Sequence, residues 1–220
     1  MTAHPLFASL MLPLLLWGVP AAAQEPSSGS GIALGVRGAY GIPLGNIFDD
    51  NKVSTFVGNT VAPQVDLAYF LRRQLSLGAY FQYGFAEGVQ GIVSNETSGR
   101  VLRFGFDVDY HFAPEAFVAP WVGVGMGYEI ASVDFRFPQA GESISTVEYK
   151  GLEWGHAHFG VDFQLTRSVA VGPYVTATLG QYTKYDALLG GILLPGEDFP
   201  GDSRAFHFWI QPGVRVQFRL

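Results

Sequence analysis

Residues 205–220 read AFHFWIQPGVRVQFRL, and this stretch decides the fold. Its even positions are Phe206, Phe208, Ile210, Pro212, Val214, Val216, Phe218 and Leu220, all apolar. Its odd positions from His207 are His207, Trp209, Gln211, Gly213, Arg215, Gln217 and Arg219. A period of two is that of a β-strand, whose successive side chains point to opposite faces. A strand with one wholly apolar face, placed last in the chain, suits the closing strand of a barrel embedded in a membrane.

Seven further segments alternate in the same way, over 32–40, 61–70, 75–85, 100–112, 117–130, 151–165 and 169–179. In 100–112, for example, Leu102, Phe104, Phe106, Val108 and Tyr110 oppose Arg103, Gly105, Asp107, Asp109 and His111. Short turns at 71–74, 113–116 and 166–168 alternate with long connections at 41–60, 86–99, 131–150 and 180–204. The pattern predicts an all-β protein: an eight-stranded antiparallel up-and-down transmembrane β-barrel with short periplasmic turns and long extracellular loops.

Alternation alone does not say which face is inside, since a soluble barrel puts its apolar face inward. The apolar set argues for lipid. Its polar members are tyrosines near strand ends, predicting an aromatic girdle of Tyr40, Tyr83 and Tyr128 at one interface and Tyr69 and Tyr110 at the other. The opposite set is rich in glycine, which suits the crowded inside of a narrow barrel. It also carries a nearly balanced lumen charge network. Arg37, Arg103, Arg215 and Arg219 face Asp66, Asp107, Asp109, Glu129 and Asp162. Together with Tyr80, Trp121, Tyr174 and Trp209, these charges should plug the lumen. Closure itself follows because an open sheet edge cannot be satisfied in hydrocarbon. Pro63, Pro120, Pro173 and Pro212 each remove a ladder donor, so bulges or strand ends are expected at them.

Residues 1–23 end in Ala21-Ala22-Ala23 after an apolar run and read as a secretory signal peptide, followed by a short linker at 24–30 and the barrel domain at 31–220. The net charge of −6 excludes a basic face for nucleic acid. The absence of cysteine suits passage through an oxidising periplasm. Lys52, Lys150 and Lys184 all fall in predicted loops.

Metal chemistry has one weak set of candidates: His156 and His158 on one strand face, with His207 and Glu129 at similar predicted heights. Hydrogen-bonded lumen residues explain them as well, so no metal and no cofactor is expected. No catalytic residues are predicted. Modification of lipid A needs a serine–histidine pair at the lipid-facing rim, and these histidines point inward.

In layout, residues 31–220 resemble the small eight-stranded bacterial outer-membrane β-barrels of the OmpA/OmpX type, the outer membrane protein beta-barrel domain family. The run ending in Val214, Val216, Phe218 and Leu220 looks like the assembly signal read in this group by the barrel-assembly machinery. The resemblance implies residence in the cell outer membrane of a Gram-negative envelope, contact with outer-membrane lipid, and a monomer. It implies a non-enzymatic structural or surface-interaction scaffold with a plugged polar lumen. A small pore or hydrophobic-ligand channel, as in OmpW-like barrels, is the alternative, and a lipid A-modifying enzyme comes after it.

Overall fold

The structure, a computed structural model, describes residues 30–86, 97–137, 143–189, 192–194 and 196–220. The predicted signal peptide and all of the linker but Ser30 lie outside the described residues.

In chain order the elements are β1 (Gly31–Phe48), β2 (Asn51–Lys52), a one-turn helix α1 (Val53–Phe56), β3 (Thr60–Arg72), β4 (Leu75–Ala86), β5 (Thr97–His111), β6 (Val118–Phe137), β7 (Ser143–Gln164), β8 (Val169–Leu189), β9 (Ile192–Leu194) and β10 (Phe206–Arg219). Each long strand pairs antiparallel with the next, and β10 pairs with both β8 and β1. Eight long strands therefore close into a ring, with β2 and β9 attached to β1 and β8. No described helix is long and apolar enough to cross a membrane.

The apolar face is outside. Phe106 is 71% exposed, Phe159 62% and Val124 61%, while Arg103 and Asp162 are 2% and 1% exposed. In water a skin of this kind would be a severe liability, because soluble monomers rarely expose apolar patches of more than a few hundred Å². In lipid it carries no such cost. Tyr40, Tyr69 and Tyr110 are exposed on this skin, and Tyr83 and Tyr128 are half-buried.

Four strands run further than their sequence pattern predicts. β1 reaches Phe48, β6 reaches Phe137, and β7 and β8 have 22 and 21 residues. A membrane-spanning strand needs only about 9–11 residues, so these strands rise above the membrane as a rim. Lys150 and Lys184, expected in loops, are paired opposite each other on β7 and β8, and Lys52 lies in β2. The alternation is masked in the rim because its sense inverts once water replaces lipid outside. Ala131, Val133 and Tyr149 are buried inward, and Glu148 and Lys150 form an ion pair on the outer side.

That inversion builds an apolar stopper in the outer mouth. Ile47, Val53, Val57, Val101, Val133, Tyr149, Tyr182, Phe199 and Trp209 form one buried cluster, with Phe48 and Phe56 packed against it. The segment 41–60, expected as a long loop, extends β1 and supplies α1 to this stopper. At the opposite end Ala33, Ala68 and Phe70 form a small buried cluster. The Arg219 guanidinium lies 4.1 Å over the Phe70 ring.

Three of the four strand prolines, Pro63, Pro173 and Pro212, lie at neither a bulge nor a strand end, which is a second difference from expectation. The register shifts lie at 46/48, 70/72, 125/127, 150/151 and 153/155. Beside Pro63, Pro173 and Pro212 the register continues, but paired partners lapse for two residues toward one neighbour. Tyr40 and Gly41, for example, have no ladder partner opposite Pro212 and Gln211. The missing N–H is absorbed by this local opening of the ladder. Pro120 lies at the end of the β5–β6 pairing, where its carbonyl accepts from Phe112.

Candidate functional site

The lumen between the two apolar ends is a stack of three polar tiers. The outer tier centres on Glu129, fully buried on β6. Arg103 Nε donates to Glu129 Oε2 at 2.7 Å, and Tyr182 Oη donates to Oε1. His207 Nε2 stands 3.3 Å from Oε1. The Arg103 guanidinium also lies 4.4 Å over the Trp209 ring, so the charged tier is fastened to the stopper above it.

The inner tier centres on Asp162. Arg215 Nη2 donates to Oδ2 at 2.6 Å and Trp121 Nε1 donates to Oδ1 at 3.2 Å. The Arg215 guanidinium stacks 3.5 Å over the Trp121 ring. Arg219 makes no ion pair among the described residues, so it stands apart from the predicted charge network.

The middle tier is built on two rows that cross three strands. Asp107 on β5 opposes Gly125 on β6, which opposes His156 on β7. Asp109 opposes Gly123, which opposes His158. In each row the central glycine leaves a gap over which carboxylate and imidazole approach. A β-carbon on Gly125 would stand 2.5 Å from His156 Nε2, and one on Gly123 would stand 2.5 Å from His158 Cδ2. Asp107 has a third glycine, Gly78, opposite it on β4.

Each histidine is fixed by a carboxylate, His158 by Asp109 of its own row and His156 by Glu153 of its own strand. His156 Nδ1 bonds Glu153 Oε1, and His158 Nε2 bonds Asp109 Oδ1 at 2.6 Å. Tyr80 Oη donates to the other Glu153 oxygen at 2.9 Å. Arg37 donates to Asp66 at 2.7 Å and lies 3.4 Å from His158 Nδ1. A cavity of about 20 Å³ opens among Arg37, Tyr80, Asp107, Glu153, His156 and His158, room for roughly one water molecule or one ion.

The four weak metal candidates are thus divided between tiers. His156 and His158 meet Asp107, with one possible ligand atom from each lying within 4.8 Å of the others. Glu129 and His207 pair with each other above them. Glu153 and Tyr182 had no role in the sequence reading. Strict alternation from His156 places Glu153 on the lipid side. The β-bulge between Glu153 and Gly155 turns it inward, as an extra residue reverses facing, and leaves Trp154 53% exposed. The assembly-signal residues Val214, Phe218 and Leu220 are exposed on the outer skin, and Val216 is half-buried.

No protein-family model and no curated protein sequence matches the chain. Its structure is similar to that of a major outer membrane protein from Thermus thermophilus, at 11% identity, covering 87% of this chain and 99% of that one with a TM-score of 0.56. It is also similar to the outer membrane protein OprG from Pseudomonas aeruginosa, at 12% identity, covering 88% and 97%, with a TM-score of 0.50. With its lipid-facing skin and closed edge, the chain has the fold of the small bacterial outer-membrane barrels and is located in the outer membrane.

Proposed function

We propose that the protein is a sealed, non-enzymatic outer-membrane scaffold whose working surface is the rim that β1, β6, β7 and β8 raise above the bilayer. One observation carries this reading. The lumen is stoppered at its outer mouth by the aromatic cluster around Trp209 and Tyr182, is crossed by ion pairs below it, and leaves a cavity of about 20 Å³ among the polar groups. A file of hydrated ions needs a continuous path through such a structure, and a hydrophobic ligand needs the volume that these rings fill. The described histidines, His111, His156, His158 and His207, are all at most 7% exposed. A lipid substrate on the outer skin is therefore separated from them by the barrel wall.

Single-channel recording of the purified protein in planar bilayers tests the reading. Silence is expected. Steady conductance steps would overturn the sealed lumen and favour the small-pore alternative. Mass spectrometry of lipid A, with and without expression, is expected to show no acyl change. In biogenesis, the exposed face of β10 ending at Leu220 would be the segment engaged by the barrel-assembly machinery.

A further inference from the structure

The middle tier has the composition of a metal-binding site, and its parts are arranged as one. We infer that Asp107, His156 and His158 form a site for a single first-row divalent transition-metal ion such as zinc. Two imidazole nitrogens and one carboxylate oxygen form the donor set that such ions take, with water completing the coordination.

Four independent features support the site. The first is the direction of the nitrogens. Glu153 engages His156 at Nδ1, so its Nε2 is left for a metal. Asp109 engages His158 at Nε2, so Nδ1 is the nitrogen that would ligate; its present partner is Arg37 Nη1 at 3.4 Å, a long contact that the ion would displace. A carboxylate on the far nitrogen of a ligating histidine fixes its tautomer and raises its basicity, and here both histidines have one. The second is Asp107, 6% exposed, which accepts no hydrogen bond among the described residues. A buried carboxylate without a donor is costly unless a cation faces it.

The third is charge. Arg37, Arg103 and Arg215 are the lumen arginines that make ion pairs, and the lumen carboxylates outnumber them once Glu153 joins the five read from sequence. A bound cation would offset part of that excess. The fourth is space. The three ligand atoms lie within 4.8 Å of one another beside the cavity. Tetrahedral zinc, with bonds of about 2.1 Å, draws its ligands to about 3.4 Å apart, a closure that side-chain rotation supplies.

The closed lumen means that the ion is taken up as the barrel forms. Untagged protein is therefore refolded in detergent with cobalt(II), and folding is checked by heat-modifiable mobility on a gel. One cobalt per chain with visible d–d absorption is expected, displaced by zinc added during a second refolding. Asp107→Asn and His156→Gln each abolish stoichiometric binding. Glu153→Gln, which only positions His156, weakens it by about 10–100-fold. His207→Gln, in the outer tier, leaves it unchanged. Folded wild-type protein that takes up no stoichiometric metal overturns the proposal. So does binding that survives both ligand substitutions or that is lost in His207→Gln. Where a ligand variant does not fold, X-ray absorption of the zinc-loaded wild type decides: two imidazoles in the first shell support the site, and any other shell overturns it.

Discussion

Asp107 and His156 sit on strands that are not neighbours, and they approach because Gly125 of the intervening strand has no side chain to keep them apart. The same relation holds for Asp109 and His158 over Gly123. These glycines are structural spacers for a polar row.

Filling that gap should therefore be felt across three strands. Gly125→Ala places a methyl group 2.5 Å from His156 Nε2 and closer still to the Phe106 carbonyl oxygen. Overpacking of this kind costs about 1–3 kcal/mol. Urea titration of the refolded barrel in lipid vesicles should show a lower midpoint. Gly38→Ala, where nothing stands within 4 Å, should leave the midpoint nearly unchanged.

The inner tier should be the most sensitive electrostatic element. Asp162→Asn keeps the shape but leaves the buried Arg215 with only its longer ion pair to Asp109, at 3.7 Å. Removing one partner of a buried pair costs about 3–5 kcal/mol. The double variant Asp162→Asn/Arg215→Met should lose less than the sum of the two single variants, as for residues in direct contact. The same urea titration reads both results, and simple additivity would contradict the coupling.

The outer skin should discriminate by depth. Phe106, in the middle of the outward run of β5, is 71% exposed, and Phe112, just past the end of that strand, is 56% exposed. Phe106→Arg should destabilise by about 2–4 kcal/mol and Phe112→Arg by about 0–1 kcal/mol. Equal effects at the two positions would argue against a bilayer around this band.

Above the membrane, Lys150 Nζ bonds Asp186 Oδ2 at 2.8 Å and Glu148 Oε2 at 2.9 Å. The hydrogen bond from Lys150, helped by that from the Gly196 amide, holds the Asp186 carboxyl below its ordinary 3.8 against the opposing effect of burial. The bonds to Asp186 and Glu148 hold the Lys150 ammonium above its ordinary 10.5. The depressed Asp186 stabilises the rim above pH 3.8 and loses that contribution as pH falls through its lowered value. The raised Lys150 contributes below pH 10.5 and loses its share as pH rises through its higher value. Between these limits the bridge is intact. Hydrogen exchange of the backbone at 184–189, relative to the intrinsic rate at each pH, should be flat across that window and faster below it. Lys150→Met should show the faster exchange already at neutral pH.

The alternation of residues 205–220 and its seven counterparts was enough to determine a closed eight-stranded barrel with its greasy face outward. That information is local: period two, glycine opposite bulk, and charges confined to one face are all written along single strands. The membrane edge was not legible. Above it the apolar side turns inward, so Val133 and Tyr149 obey the opposite rule from Val124 and Phe106, and α1 drops into the mouth from a segment that reads as a loop. The middle tier was only half legible. The sequence marked His156 and His158 as sharing a face but had no means of finding Glu153, since one bulge reverses its facing. Nor could it tell Asp107 from Glu129 as their companion, because the meeting of side chains from β5 and β7 depends on register across a third strand. Pairing between strands is set by the closed sheet as a whole, and only the tertiary structure supplies it.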